Sequence, residues 1–259
     1  MHYRNISGWR RGLASGKFKS LIAAVLLICA GCTATAQPND PVPAFVAGSR
    51  ILFQGDSITD MNRGRTSDPN HILGHSYAFL IAARYGCDFP ERHLTFINRG
   101  VSGNKVSDLQ SRWQADTLDL KPDILSILIG VNDLNGGVSA EEFERQYDQL
   151  LSRTLAALPN VHIVLCEPFG LPTGRLAAKW PEYSEKLQVR QAIVQKLGDK
   201  YHVTVIHFQR VFDEACKRAP ANYWIWDGVH PTYSGQQLLA DEWVRAVDEA
   251  WGKSDALGK

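Results

Sequence analysis

The chain has 259 residues, 44% hydrophobic and 21% charged, with 28 basic against 27 acidic side chains. These are values of one soluble α/β domain with a sizeable core, and they exclude disordered and fibrous classes. No basic tract lies beyond the N-terminal stretch, which argues against nucleic acid as a partner.

At the N-terminus, Arg10, Arg11, Lys17 and Lys19 precede an apolar run at residues 21–28, which small residues follow. That order reads as an export signal over residues 1–31. The run is too short for a membrane span, which needs ~20 apolar residues. Two cleavage readings compete. Ala34-Thr35-Ala36 fits an ordinary small-x-small site, with cleavage after residue 36. Ala30-Gly31-Cys32 resembles the end of a bacterial lipoprotein signal, with Cys29 where leucine is usual. On that reading Cys32 carries a lipid anchor and residues 32–46, which hold several Pro and Ala, form a tether. The slight preference is for the lipoprotein; Arg10-Arg11 lacks flanks suited to twin-arginine export. The expected location is thus a periplasmic or outer-membrane lipoprotein, or a secreted protein. Without the five basic residues of 1–31, the mature chain has 23 basic against 27 acidic residues, a net charge of −4.

Five short apolar runs follow, at residues 50–54, 94–98, 124–129, 161–166 and 203–207. They read as buried parallel strands. Helical patterns lie between and after them, at 76–85, 105–113, 140–158, 185–200 and 233–251. Ser139 before Glu141 and Glu142 marks a helix start, with acids in the first turn. The alternation predicts an α/β domain at residues 47–252, a five-stranded parallel sheet with helices on both faces, and a short tail at 253–259. Cys87, Cys166 and Cys216 allow at most one disulfide, and without C-x-x-C spacing no structural zinc is expected.

In such a sheet, chemistry belongs at the carboxyl ends of the strands. The first strand is followed by Gly55-Asp56-Ser57, the second by Gly100-Val101-Ser102-Gly103 and the third by Gly130-Val131-Asn132-Asp133. After the fourth comes a Gly- and Pro-containing loop at 167–183, with Arg175 and Trp180, a candidate substrate wall. Gly-Asp-Ser alone is a common turn or helix cap. Asp227-Gly228-Val229-His230-Pro231 alone is also more often a turn. Together they supply a nucleophile, Ser57, and a base, His230, which a turn at Gly228 lets Asp227 orient. Asp56 shares the nucleophile's turn and reads as loop architecture. For an oxyanion, the available donors are the N–H groups of Ser57 and Gly103 and the amide of Asn132, although Gly103 and Asn132 are also ordinary turn residues.

These residues resemble the motifs of the SGNH, or GDSL-type, hydrolase superfamily. Phe53-Gln54-Gly55-Asp56-Ser57 matches the first motif, with Ile58 where the family name has leucine. Asn98 to Gly103 matches the second, with Gly103 the oxyanion glycine. Gly130 to Asp133 matches the third, with Asn132 the functional asparagine, and Asp227 to Pro231 matches the last. The resemblance implies a flavodoxin-like three-layer α/β/α sandwich, a shallow site and a metal-independent serine mechanism with no cofactor. Other readings compete less well. A dinucleotide fold wants a different glycine spacing. A metallohydrolase using Asp56, Asp133, Asp227 and His230 lacks a two-histidine helix motif. His71 and His75 read as loop and helix-start residues, and His162, His202 and His207 as structural. A non-catalytic glycan-binding lipoprotein on this fold is a further alternative.

For the substrate, Trp224 and Trp226 stand just before the Asp227 to His230 loop. Either they are packing residues or one of them, with Trp180, stacks on a sugar ring. The polar loop at 60–74, with Arg63, Arg65, Asp68 and Asn70, favours a hydrophilic substrate over a long-chain lipid. The expectation is an O-acyl ester, O-acetyl above all, on a carbohydrate or another small molecule. The runner-up is a lysophospholipid, a short-chain acyl ester or a thioester.

Overall fold

The computed structural model describes Val42 and residues 44–252. The export signal at 1–31, the Cys32 anchor and the tail at 253–259 fall outside the described residues. Five strands form one sheet: β1 (Arg50–Gly55), β2 (Thr95–Asn98), β3 (Ile124–Leu128), β4 (His162–Cys166) and β5 (Thr204–Ile206). All pairings are parallel, in the order β2-β1-β3-β4-β5. The chain steps from β1 outward to β2 and then back across β1 to β3. This reversal opens a crevice beyond the carboxyl ends of β1 and β3, where such sheets bind their ligands.

The strands are apolar on both sides because both faces are covered. Ile51 and Phe53 of β1 join one core, while Leu52 joins the other. The first core is closed by α2 (Tyr77–Asp88), α7 (Phe208–Ala215) and α9 (Tyr233–Gly252). Against the second lie α3 (Val106–Trp113), α5 (Ala140–Ala157) and the later turns of α6 (Trp180–Tyr201). Each core holds a fully buried tryptophan whose indole N–H has a partner, as a buried indole requires. Trp243 donates to Ser126 Oγ and Trp113 to Thr154 Oγ1, both at 2.9 Å.

One buried polar group shapes the helix beside β1. The Gln54 amide donates to the Asp116 carbonyl and to Thr117 Oγ1, both at 2.8 Å. Those acceptors sit in a π-helical turn, Gln114–Leu118, that widens the end of α3. The side chain satisfies a carbonyl within the wider turn.

Several expectations change. The folded body reaches back into the stretch read as a tether, since Phe45 is 1% exposed and meets Tyr85 edge-on at 4.9 Å. Helix α6 starts at Trp180 rather than residue 185, because Pro181 suits a first turn. The loop at 167–183 therefore ends in helix, preceded by a 3-10 turn at Gly174–Lys179. Four further helices had no expectation: α1 (Ser57–Asp60), α4 (Val131–Asn135), α7 and α8 (Ala221–Trp224). Cys87, Cys166 and Cys216 are free thiols, which falls within the expectation of at most one disulfide and does not change it.

Candidate active site

The first strand ends at Gly55, whose φ is +158°, and a Cβ there would lie 2.4 Å from the Leu128 carbonyl and 2.5 Å from Thr59 Oγ1. Only glycine lets the chain turn so close to β3. Asp56 then caps α1, its carboxylate accepting the Ile58 N–H at 3.0 Å. Ser57 is therefore the first residue of a helix, where a backbone N–H has no intrahelical partner. Its Oγ lies 2.8 Å from Nε2 of His230.

The histidine is held by its own turn. Asp227 Oδ2 lies 2.8 Å from His230 Nδ1, while Oδ1 accepts the N–H groups of Val229 at 3.0 Å and His230 at 2.8 Å. Gly228 adopts φ +99° and a Cβ on it would meet Leu176 at 2.6 Å. A bridge between Ile225 and Pro231, with the Trp226 N–H donating to the His230 carbonyl, closes the turn like a small hairpin. Burial pushes the Asp227 carboxyl up, but the hydrogen bonds from His230 and Val229 outweigh it and hold the group below the usual carboxylate range. An ionised Asp227 selects the tautomer with the proton on Nδ1, so Nε2 can accept from Ser57. Hydroxyl, imidazole and carboxylate in series can activate a serine for attack.

The second and third loops meet beside this relay. Gly103 has φ +85°, and nothing lies within 4 Å of where a Cβ would stand. Asn132, in α4, donates one amide hydrogen to the Asn104 carbonyl at 3.1 Å, leaving its second for another acceptor. Asp133 has a role that sequence reasoning did not assign. Its Oδ1 accepts the Val106 N–H at 3.1 Å and so ties α4 to the start of α3. Asp133 and Asp56, each beside a candidate site residue in sequence, are buried acids. Burial pushes Asp56 up to about 7, with the charge of Asp133 adding to it, and pushes Asp133 up to about 6.

The three tryptophans separate. Trp224 is 7% exposed, donates to the Ala219 carbonyl and belongs to the core, so it offers no ring to a ligand. Trp226, two residues on, is 64% exposed. Trp180 stacks on Tyr183 at the start of α6, with its ring near Gly170, close to the Gly228 carbonyl. Arg175, from the same segment, lies 3.6 Å from Asp227 Oδ2. Of the histidines read as structural, His207 pairs with Glu167, His162 packs edge-on against Trp251, and His202 ends α6 in a left-handed conformation.

Known proteins share this fold. An acetylxylan esterase of Geobacillus stearothermophilus is 28% identical over 223 residues, covering 80% of this chain and 98% of that protein. Its crystal structure superposes with a TM-score of 0.70. A GDSL-like lipase candidate from Parabacteroides merdae is 39% identical, with a TM-score of 0.73, over 78% of this chain and 96% of that one. An alpha/beta hydrolase from the metagenome of Lake Arreo, Spain, is 30% identical, with a TM-score of 0.72, over 79% and 97%. The model of the GDSL-like lipase/acylhydrolase family matches residues 53–238, from the first strand into the last helix. The chain belongs to that family and is a serine hydrolase of carboxylic esters.

Proposed function

We propose that the protein is an exported esterase that removes O-acyl groups, chiefly O-acetyl, from carbohydrate through an acyl-serine intermediate. The observation that carries this reading is the relay of Ser57, His230 and Asp227, two contacts of 2.8 Å in series, with the exposed ring of Trp226 next to its acid. The similarity to an acetylxylan esterase along almost that protein's whole length supports the substrate class. The polar composition of the loop at 60–74, with Arg63, Arg65, Asp68 and Asn70, supports a hydrophilic alcohol part.

In this mechanism Ser57 Oγ attacks the ester carbonyl as its proton passes to His230 Nε2. The carbonyl oxygen becomes an oxyanion that the N–H groups of Ser57 and Gly103 and the free amide hydrogen of Asn132 receive. His230 gives its proton to the departing sugar hydroxyl, leaving acetyl on Ser57. Water then attacks the acyl-enzyme by the same route, and acetate leaves. Asp227 keeps the imidazole oriented and stabilises its transient positive charge.

The test is a comparison of purified wild type and Ser57→Ala on an aryl acetate, acetylated xylan oligosaccharides and a lysophospholipid. The reading expects the wild type to be most efficient on the acetylated sugar, and the folded variant inactive on all three. It also expects a fluorophosphonate to label Ser57. Faster turnover of lysophospholipid would overturn the substrate class, and an active Ser57→Ala would overturn the mechanism. For export, fractionation of cells making the full chain should find the protein outside the cytoplasm.

A further inference from the structure

Asp60 ends the helical turn that Ser57 begins. Its N–H donates to the Asp56 carbonyl at 2.8 Å, and the Met61 N–H donates to the Ser57 carbonyl at 3.1 Å, so Asp60 and the nucleophile share one rigid unit. The residue is 3% exposed, yet it is charged and its carboxylate is fully engaged. Oδ2 accepts the Ser102 N–H at 2.9 Å, the Ser102 hydroxyl at 2.8 Å and Arg65 Nη2 at 2.8 Å. Oδ1 accepts the Arg63 N–H at 3.2 Å. Three of these four bonds reach out of the turn in ways that stability of a four-residue helix does not need. Two of them converge on the residue before Gly103.

The Gly103 loop needs such a hold. Apart from Gly103 and its two chain neighbours, nothing lies within 4 Å of where a Cβ on Gly103 would stand, so packing on that side does not set its place. Its anchors are polar: the Asn104 carbonyl on Asn132, the Gly100 carbonyl on Arg63 Nε at 2.7 Å, and Ser102 on Asp60. Gly100 itself lies against the same turn, since a Cβ on it would be 2.4 Å from the Asp60 nitrogen. Gripping both the N–H and the hydroxyl of Ser102 fixes that residue's position and rotamer. The peptide carrying the Gly103 N–H then stands at a set distance from Ser57.

We propose that Asp60 is a positioning residue for the oxyanion hole, acting through Ser102 to place the Gly103 N–H against the carbonyl that Ser57 attacks. This rests on the serine mechanism above. Asp60 also stays ionised, because although burial raises its pKa, the bonds from Arg65 and Ser102 outweigh that and lower it overall. A donor displaced by a fraction of an ångström serves the transition state poorly while leaving ground-state binding almost untouched.

The test uses Asp60→Asn, which keeps the side chain's size and removes its charge, together with Ser102→Ala and the double variant. On an aryl acetate, Asp60→Asn should lower kcat about 10–100-fold with KM within about two-fold, and Ser102→Ala should lower kcat about 3–10-fold. The double variant should be no worse than Asp60→Asn alone, since both changes act on one contact. Fluorophosphonate labelling of Ser57 builds up similar charge on oxygen and should slow by the same factor as kcat, which a simple loss of folded protein would not produce in a sample matched for folded content by melting. A folded Asp60→Asn with wild-type kcat, or with the loss confined to KM, overturns the proposal. If Asp60→Asn does not fold, Ser102→Ala decides alone, and wild-type kcat there overturns it. Absence of Ser57 labelling in the wild type would instead remove the serine mechanism itself, so the two failures are distinguishable.

Discussion

Asp227 binds His230 twice, through its backbone N–H at 2.8 Å to one carboxylate oxygen and through imidazole Nδ1 at 2.8 Å to the other. The residue that orients the base and the base itself thus move as one turn. Asp227→Asn retains the shape but presents an amide hydrogen toward Nδ1, which favours the tautomer with the proton on Nε2, where it cannot accept from Ser57. A fall in kcat of about 10³–10⁴-fold is expected, with little change in melting temperature. Steady-state kinetics beside a melting curve checks both halves.

Asn132→Ala removes the only side-chain donor of the proposed oxyanion hole and also the bond to the Asn104 carbonyl. If the amide acts in the transition state, kcat falls about 10²–10³-fold while KM changes little. A KM effect alone would reassign the side chain to binding of the ground-state ester.

Much of this site was legible in the sequence because it is built from local turns. The spacing of Asp227 and His230 is itself the geometry, and Gly55 and Gly228 mark places where a Cβ would collide. The strands were readable within a residue or two, because a strand buried on both faces is apolar almost throughout, as β3 is apart from Ser126, whose hydroxyl accepts the Trp243 indole N–H. Contacts between loops were not readable. Asp60 meets Ser102 across 42 residues, and Asp133 meets Val106 across 27, and no pattern in either segment announces the other. Helix α7 did carry a signal, since Phe208, Phe212 and Ala215 recur at helical spacing, but it follows a three-residue strand directly and merges with it in the sequence. Trp224 and Trp226 have the same parity and composition. Only the fold of α8 against α9 decides that the first is covered and the second is not.

Stability should depend on pH through the two buried acids. Asp56 and Asp133 are raised by burial from 3.8 to about 7 and about 6. A raised folded value means that the native state holds the proton more tightly than the unfolded chain. The contribution is then fully present below about pH 3.8 and is lost as pH rises, through about 6 for Asp133 and about 7 for Asp56. Asp56→Asn keeps an acceptor for the Ile58 N–H and cannot ionise. Relative to wild type it should gain stability from about pH 4 to about pH 8, on the order of 4 kcal/mol at most. Urea unfolding at both pH values measures the change, and a gap between the two proteins that stays constant with pH would contradict the burial argument.

The tryptophan pair separates packing from recognition. Trp224 is buried and its indole N–H is bonded, so Trp224→Ala should cost ~3–5 kcal/mol and depress every activity in step with the loss of folded protein. Trp226 projects 64% of its surface into solvent beside Asp227, so its loss should leave the melting temperature nearly unchanged. If its ring stacks on a sugar, Trp226→Ala should reduce kcat/KM for acetylated oligosaccharides by about 10-fold, corresponding to roughly 1–2 kcal/mol of lost contact, and spare a small aryl acetate. A small ester reaches Ser57 without touching the platform. Equal loss on both substrates in a variant of wild-type stability would show that the ring acts on the catalytic turn, through the Trp226 to His230 bridge, rather than on the sugar.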